Sequence, residues 1–439
     1  MVVGIQPGKI AGSITANASK SAMQRACAAA LLKKGNTVII NPGNSNDDLA
    51  ALDIIKSMGA LVTETTANGE LLIQGQGLPF ANTGDASAAI HCGESGLSIR
   101  MFTPIAALAH KEELITGEGS LEVRPMNFFE EVLPLLGVKV ETNQGRVPMK
   151  VCGPLVPKNI EVDGSLSSQF LTGLLMAYAA ADATDVTITV KDLKSKPYID
   201  LTLQVMQQFG LKLPVNHNYE RFEFCAASAS TQPAVPSFVV EGDWSGAAFL
   251  LVAGAVSNEV EVLGIFNHSR QADKKIIDAI LDAGAQVTVF DNKVVVKKDK
   301  LEAFHFDATD CPDLFPPLVA LAANCKGITE IKGLRRLKHK ESDRGVTLQE
   351  EFAKLGIRID LNDDTMLVHS NGDIRVNNFN LNSHHDHRIA MAAAVAGINA
   401  DFPVNIRNAD AVNKSYPDFW KHIAALGIRV SFEPLVLNA

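Results

Sequence analysis

Six times along this chain an amphipathic stretch runs into a glycine and then into residues that alternate apolar and polar. The glycines are Gly59, Gly137, Gly210, Gly284, Gly356 and Gly427, at spacings of 78, 73, 74, 72 and 71 residues. Glycine closing a helix takes the left-handed C′ conformation at little cost, and the period-two pattern after it reads as a half-buried strand. Ala60-Leu61-Val62, Val138 with Val140, and Ile357 with Ile359 are three such followers. A second, more apolar helix is expected earlier in each unit, opening at Ser19–Ser21, Gly93–Gly96, Gly164–Ser168, Gly242–Gly246, Asp310–Asp313 and His384–His387. Runs such as Phe170–Ala181 and Ala390–Ile398 then imply burial. With strands such as Thr37–Ile40 and Thr187–Val190 in between, each unit reads as β-α-β-α-β-β over about 73 residues. Open solenoids use repeats of roughly 20–50 residues, so six units of this length predict an α/β protein of two larger closed bodies, three units in each. The Ala/Ser/Thr/Pro-rich stretch Ala226–Pro236, between units three and four, is the expected linker.

Composition narrows the partners. Forty Lys and Arg against 49 Asp and Glu leave a net charge of −9, which argues against nucleic acid or an anionic membrane as the main partner, so any anion site must be local. The longest apolar or glycine run, Gly246–Val256, falls well short of the roughly 18 residues of a membrane span. No basic start followed by an apolar run marks a signal peptide, and a cytoplasmic location is expected. The six cysteines lie far apart without a C-x-x-C pair or zinc-ligand spacing and read as reduced core thiols. G-x-x-x-x-G-K-[ST], G-x-G-x-x-G, H-E-x-x-H and G-x-S-x-G are all absent, against a P-loop nucleotidase, a Rossmann dehydrogenase, a zincin and an α/β-hydrolase.

What remains is a set of cations and hydroxyls at helix starts. In Ser19–Arg25, Lys20, Ser21 and Arg25 fall on one helical face and Met23, Ala26, Cys27 and Ala30 on the other, the first polar and the second core. Lys20 in a first turn opposes the macrodipole unless an anionic ligand or a carboxylate partner sits there. Arg124 precedes Pro125, which suits a helix N1 position. Gly164–Gln169 and Ser195–Tyr198 place hydroxyls before helices, as N-caps or as ligands. Lys338–Arg344 is the densest charge cluster, either a solvated surface or a site. Asp313, in an apolar neighbourhood, either caps a helix or is placed for proton transfer. His384–Arg388 invites a metal reading, but no other ligand pair accompanies it, and no metal is expected. Together Lys20, Arg124, Lys340, Arg344, Arg388 and Lys414 predict convergence on a polyanionic ligand bearing phosphate or carboxylate.

These residues fall in an ordered series of motifs: S-K-S-x-x-x-R from Ser19, G-x-S-G-x-x-x-R from Gly93, R-P at Arg124, G-S-x-S-S-Q-F from Gly164, S-K-P-Y-I-D from Ser195, E-G-D from Glu241, P-D at Asp313, K-E-S-D-R from Lys340, D-H-R from Asp386 and K-S-Y-P from Lys414. Over essentially its whole length the chain thereby resembles the enolpyruvyl transferases, and within them the branch that uses shikimate 3-phosphate. The resemblance implies two similar domains, each of three β-α-β-α-β-β units around a pseudo-threefold axis, with the active site in the cleft between them. It implies a discontinuous domain, residues 1–18 plus 237–439, and a second of residues 19–236. Shikimate 3-phosphate would be held by Ser21, Arg25, Ser167, Ser168, Gln169, Ser195, Tyr198, Asp313 and Lys340. Phosphoenolpyruvate would meet Lys20, Gly96, Arg124, Gln169, Arg344, Arg388 and Lys414. Asp313 would be the base toward the 5-hydroxyl and Glu341 the acid toward the methylene carbon, with Lys20 sharing in proton transfer.

No metal or organic cofactor is implied, because phosphoenolpyruvate already carries the activated enol and a leaving phosphate; a monomer is expected. The sister branch acting on UDP-N-acetylglucosamine typically has Lys-Asn where this chain has Lys20-Ser21, and often a loop cysteine that Gly117–Arg124 lacks. Two positions depart from the pattern. Glu94 stands where Asn is frequent, either repelling the phosphate or turned into a local contact, and Arg336 stands where Asn is often found near the shikimate phosphate.

Overall fold

The computed structural model describes residues 1–65, 69–78, 80, 89–226 and 236–433. Apart from its two ends, the expected linker Ala226–Pro236 lies outside them. The chain divides into two compact units, Met1–Asn17 with Glu241–Ala439, and Ala18–Val240.

The glycine punctuation becomes backbone geometry: φ is +101°, +86°, +70°, +98°, +74° and +112° at Gly59, Gly137, Gly210, Gly284, Gly356 and Gly427. In Ala18–Val240 the helices are α1 (Lys20–Leu32), α2 (Asn46–Ser57), α3 (Gly96–Ala106), α4 (Asn127–Val132), α5 (Ser168–Ala180) and α6 (Lys196–Gln208). The other unit has α7 (Trp244–Ser257), α8 (Ile276–Asp282), α9 (Phe315–Ala322), α10 (Arg344–Lys354), α11 (His387–Gly397) and α12 (Phe419–Ala425). The odd-numbered helices, rich in Ala, Leu, Val and Phe, form the cores; the even-numbered ones keep an outer polar face. Helix α1 departs from the sequence reading, because it is buried nearly all round and takes Gln24 and Arg25 inside with it.

Six four-stranded sheets accompany the helices among the described residues, three in each unit, and all share one pattern: a parallel outer pair, then two antiparallel pairings. One such sheet runs Ile160–Asp163, Val186–Lys191, Arg221–Phe224, Val215–His217. The N-terminal residues complete two sheets of the larger-numbered unit, with Val2 opposite Arg407 and Ala11 opposite Glu259. Ser237–Val239 runs parallel to Gly35–Ile40, with Ser237 opposite Val38. That strand therefore closes the first sheet of Ala18–Val240, and the unit boundary falls at Glu241 rather than at residue 237.

Close helix packing sets the site residues. A Cβ on Gly173 of α5 would lie 2.7 Å from the carbonyl oxygens of both Arg100 and Met101 on α3, so only glycine lets these two helices approach there. No helix among the described residues is long and apolar enough to cross a membrane.

Candidate active site

In the unit of Glu241–Ala439, three helix starts deliver one charge cluster. Asp313 sits in the 3-10 turn Pro312–Leu314 that leads into α9; Arg344 opens α10; Asp386 caps α11, accepting from the Arg388 backbone N–H at 3.0 Å. Lys340 Nζ and Arg344 Nη1 both donate to Asp313 Oδ1, at 3.0 and 2.7 Å, and Arg388 Nη2 reaches Oδ2 at 3.2 Å. The buried Arg344 also donates from Nε to Asp386 Oδ2 at 2.7 Å and from Nη2 to Glu341. Burial opposes the ionisation of Asp313, but Arg388, Lys340 and Arg344 outweigh it and hold its carboxyl well below the usual range. Burial pulls the Lys340 ammonium down; Asp313 opposes this, while Arg344 and the nearby Arg336 add to it. The buried Lys414 ends the 3-10 turn Ala409–Lys414.

Behind this cluster lies Asp273, fully buried in the 3-10 turn Ala272–Lys275 and accepting from the Ser245 hydroxyl of α7. Burial first, and the neighbouring Asp313 second, push its carboxyl up to about 7 against the pull of Arg388. Gln271 fixes the turn to α7, accepting from Trp244 N at 3.0 Å and donating to the Gly242 carbonyl at 2.8 Å.

In Ala18–Val240 the pieces come from α1, α3, α5 and α6. Lys20, capped into α1 by Ser19, meets Asp47 at 2.9 Å, a carboxylate partner that answers the macrodipole. Arg25, 1% exposed, donates to the Ser21 carbonyl at 2.8 Å, the Tyr198 carbonyl at 3.4 Å and Thr202 Oγ1 at 2.9 Å, and lies 5.8 Å from the Tyr198 ring. Burial, only partly offset by Tyr198, draws its guanidinium down to about 10. Ser167 caps α5 by accepting from Gln169 N at 3.2 Å, and Ser168 is buried at the first helical position. Ser195, buried with φ +57°, opens α6. Arg100 Nη1 donates to Gln169 Oε1 at 2.9 Å while its guanidinium lies 5.1 Å from the Phe170 ring. Gly96, the first residue of α3, sits between two arginines: a Cβ there would be 2.4 Å from Arg124 Nη1 and 3.3 Å from Arg100 Nη1. Two buried guanidinium groups beside the N–H groups of a helix start make a place for an anion.

Of the expected site residues, Lys20, Ser21, Arg25, Gly96, Arg124, Ser167, Ser168, Gln169, Ser195 and Tyr198 lie in the first unit, and Asp313, Lys340, Glu341, Arg344, Arg388 and Lys414 in the second. Pro125 is not a helix N1 residue. Arg124 closes the 3-10 turn Gly119–Val123 in an extended conformation, and α4 begins only at Asn127. Reading along the chain missed Asp47, Arg100, Asp273 and Asp386 as partners, although Arg100 and Asp386 stand in quoted motifs. His384 and its neighbours turn to protein groups: His384 Nε2 to Glu351 at 2.9 Å, Asp386 to Arg344. Glu94 accepts from the Ser120 backbone N–H at 3.1 Å.

Residues 5–423 match the family described as EPSP synthase (3-phosphoshikimate 1-carboxyvinyltransferase). The chain is 35% identical over 433 residues to a 3-phosphoshikimate 1-carboxyvinyltransferase of Clostridium novyi, covering 97% of each. An EPSP synthase structure from Acinetobacter baumannii superposes with a TM-score of 0.80 at 25% identity, covering 98% of this chain and 99% of that one. The enolpyruvyl transferase NikO from Streptomyces tendae, at 16% identity, shares the fold with a TM-score of 0.74 over 98% of each chain.

Proposed function

The chain belongs to the EPSP synthase family, the 3-phosphoshikimate 1-carboxyvinyltransferases, and on that premise we propose how its residues move the enolpyruvyl group of phosphoenolpyruvate onto the 5-hydroxyl of shikimate 3-phosphate. Asp313 takes the 5-hydroxyl proton as that oxygen bonds to C2 of phosphoenolpyruvate, and Glu341 protonates C3. A tetrahedral intermediate results. Breaking the C2–O bond to the phosphate group releases phosphate as the methyl group gives its proton back to the Glu341 carboxylate, and the enol ether remains; Lys20 assists a proton transfer.

The observation that carries this reading is the triple clamp on Asp313. A carboxylate held by Lys340, Arg344 and Arg388 is ionised across the working range, so it is in the accepting form, but it is a weak base while clamped. An anionic substrate that engages Arg344 and Arg388 competes for the same guanidinium groups and returns basicity to Asp313 as it binds. Lys20, Gly96, Arg124 and Gln169 on the other unit, and Lys414 on the unit of Asp313, suit phosphoenolpyruvate. Arg25, Ser21, Ser167, Ser168, Gln169, Ser195 and Tyr198 suit shikimate 3-phosphate, whose ring also meets Asp313 and Lys340. In this reading the chain works as a cytoplasmic monomer in two domains, one discontinuous, on small acidic substrates and with neither nucleic acid nor membrane.

The test is phosphate release from phosphoenolpyruvate without added metal, with shikimate 3-phosphate or UDP-N-acetylglucosamine as acceptor. Release with shikimate 3-phosphate alone is expected. Release with the sugar nucleotide alone would reassign the acceptor, and silence with both in folded protein would leave a binding protein.

A further inference from the structure

Glu94 lies two residues before Gly96, where an anion would repel an incoming phosphate, yet its side chain is engaged elsewhere. Its Oε2 accepts from the backbone N–H of Ser120 at 3.1 Å. Ser120 is the second residue of the 3-10 turn Gly119–Val123, whose first N–H groups have no partner within the turn. At the other end of this turn the Arg124 N–H bonds the Leu121 carbonyl at 3.3 Å, and the strand end before it is tied back by Glu118 N–H to the Gly93 carbonyl at 2.9 Å. Gly119, at φ +57°, makes room: a Cβ there would lie 2.5 Å from Glu94 Cδ. The guanidinium that leaves this turn, Arg124, packs on Gly96. One carboxylate therefore joins the loop before α3 to the turn that carries Arg124.

We propose that Glu94 is a positioning residue: its carboxylate fixes the Gly119–Val123 turn through the Ser120 N–H and so holds Arg124 against Gly96, instead of facing the substrate's anionic groups. The inference rests on the reading above, in which Gly96 and Arg124 receive phosphoenolpyruvate. A charge-assisted hydrogen bond to backbone is the stronger kind, and its loss here is transmitted to one guanidinium while the core stays intact.

Steady-state kinetics on the full chain test it, after wild-type turnover with both substrates is established. Absence of that turnover overturns the functional reading and this inference with it. Glu94→Ala should raise KM for phosphoenolpyruvate about tenfold, the scale of one charged hydrogen bond, and leave KM for shikimate 3-phosphate unchanged. Glu94→Gln keeps an acceptor for Ser120 and should stay within about threefold of wild type. Ser120→Pro removes the donor, leaves Glu94 in place, and should reproduce the alanine effect; it also serves if Glu94→Ala fails to fold. A fall in KM for phosphoenolpyruvate in both Glu94 variants would mean that the carboxylate faces the substrate and would overturn the proposal. Unchanged kinetics in Glu94→Ala and Ser120→Pro, with wild-type turnover intact, would overturn it too while sparing the functional reading.

Discussion

The two units treat buried charge in opposite ways. Around α9, α10 and α11 cations and carboxylates are matched inside the protein: Arg344 has Asp313, Glu341 and Asp386, and Lys340 and Arg388 share Asp313. Arg25, just as deeply buried in the other unit, is held by two carbonyls and a hydroxyl and forms no ion pair among the described residues. A buried cation without a counter-ion is costly, and its depressed pKa is the sign of that cost. The Asp313 cluster therefore carries its buried charge already matched, whereas Arg25 is left to neutral acceptors, and in the proposed reading the first supplies acid and base and the second awaits an anionic ligand.

Breaking the matched cluster should have the largest effect. Asp313→Ala or Glu341→Ala should lower kcat by about 10² or more, the scale of a lost general base or acid, and near wild-type turnover would remove either residue from the mechanism. Asp313→Ala also leaves three cations facing one another. Removing one partner of a buried pair costs about 3–5 kcal/mol, and the 24% exposure of the Asp313 side chain keeps the loss below that range; it should show as a lower midpoint in urea without ligand. Arg25→Ala should do the reverse. KM for shikimate 3-phosphate should rise by about 10- to 100-fold, the equivalent of a hydrogen bond to a charged group, with little loss of stability in the unliganded protein. Ligand-free unfolding that costs Arg25→Ala as much as Asp313→Ala would erase the contrast between the two units.

Asp273 sharpens the same comparison through pH. Its carboxyl stands at about 7 in the folded protein against about 3.9 in an unfolded chain, so between these values the folded state holds the extra proton. Stability from this group is complete below about pH 4, falls as pH rises to about 7, and is level beyond, at about 1.4 kcal/mol per pH unit. The groups that face it are Ser245 on α7 and its N-cap Asp243, Cys311 and Asp313 before α9, and Arg388 on α11. Asp273→Asn should therefore gain stability relative to wild type by about 2–3 kcal/mol between pH 5 and 7 in urea titrations. Asp48, also raised to about 7 by burial, titrates with the same sign in both proteins and cancels in the difference. A difference independent of pH would mean that Asp273 is already ionised at pH 5 and belongs with the matched charges.

Much of the architecture was legible because it is written locally. Each Gly at the end of an amphipathic helix could be read as a left-handed closure, and the apolar helix before it as core, without knowledge of any distant residue. Lys20, Arg344 and Arg388 were legible because a Lys or Arg at a helix start conflicts with the macrodipole. Their partners were not, because pairing is set by which helix starts meet: Lys20 and Asp47 are 27 residues apart, Arg344 and Asp386 are 42, and Arg388 and Asp313 are 75. Long range also explains the displaced unit boundary, since Ser237–Val239 pairs with a strand some 200 residues earlier. The burial of Arg25 escaped the helical projection of α1, which sorts residues into two faces but cannot see that α6 supplies Thr202 and the Tyr198 carbonyl to cover the second one.

Space, rather than charge, gives the smallest and most selective effect. The Cβ of Gly96→Ala would come within 2.4 Å of Arg124 Nη1 and 3.3 Å of Arg100 Nη1. Both are the far ends of flexible side chains, so they yield before the helix does; φ at Gly96 is not in the left-handed region, and no backbone strain adds to the change. Arg124 must give way by more than 1 Å to regain contact distance, which in the proposed reading withdraws it from the phosphoenolpyruvate phosphate while Arg25, Ser167 and Ser195 are untouched. KM for phosphoenolpyruvate should rise about tenfold, equivalent to about 1.4 kcal/mol, with KM for shikimate 3-phosphate and the unfolding midpoint unchanged. Equal increases in both KM values would mean that the two proposed anion positions of Ala18–Val240 are coupled through α3 and α5. An unchanged KM for phosphoenolpyruvate would place its phosphate away from Arg124, and leave Arg25 as the cation of this unit that answers to substrate.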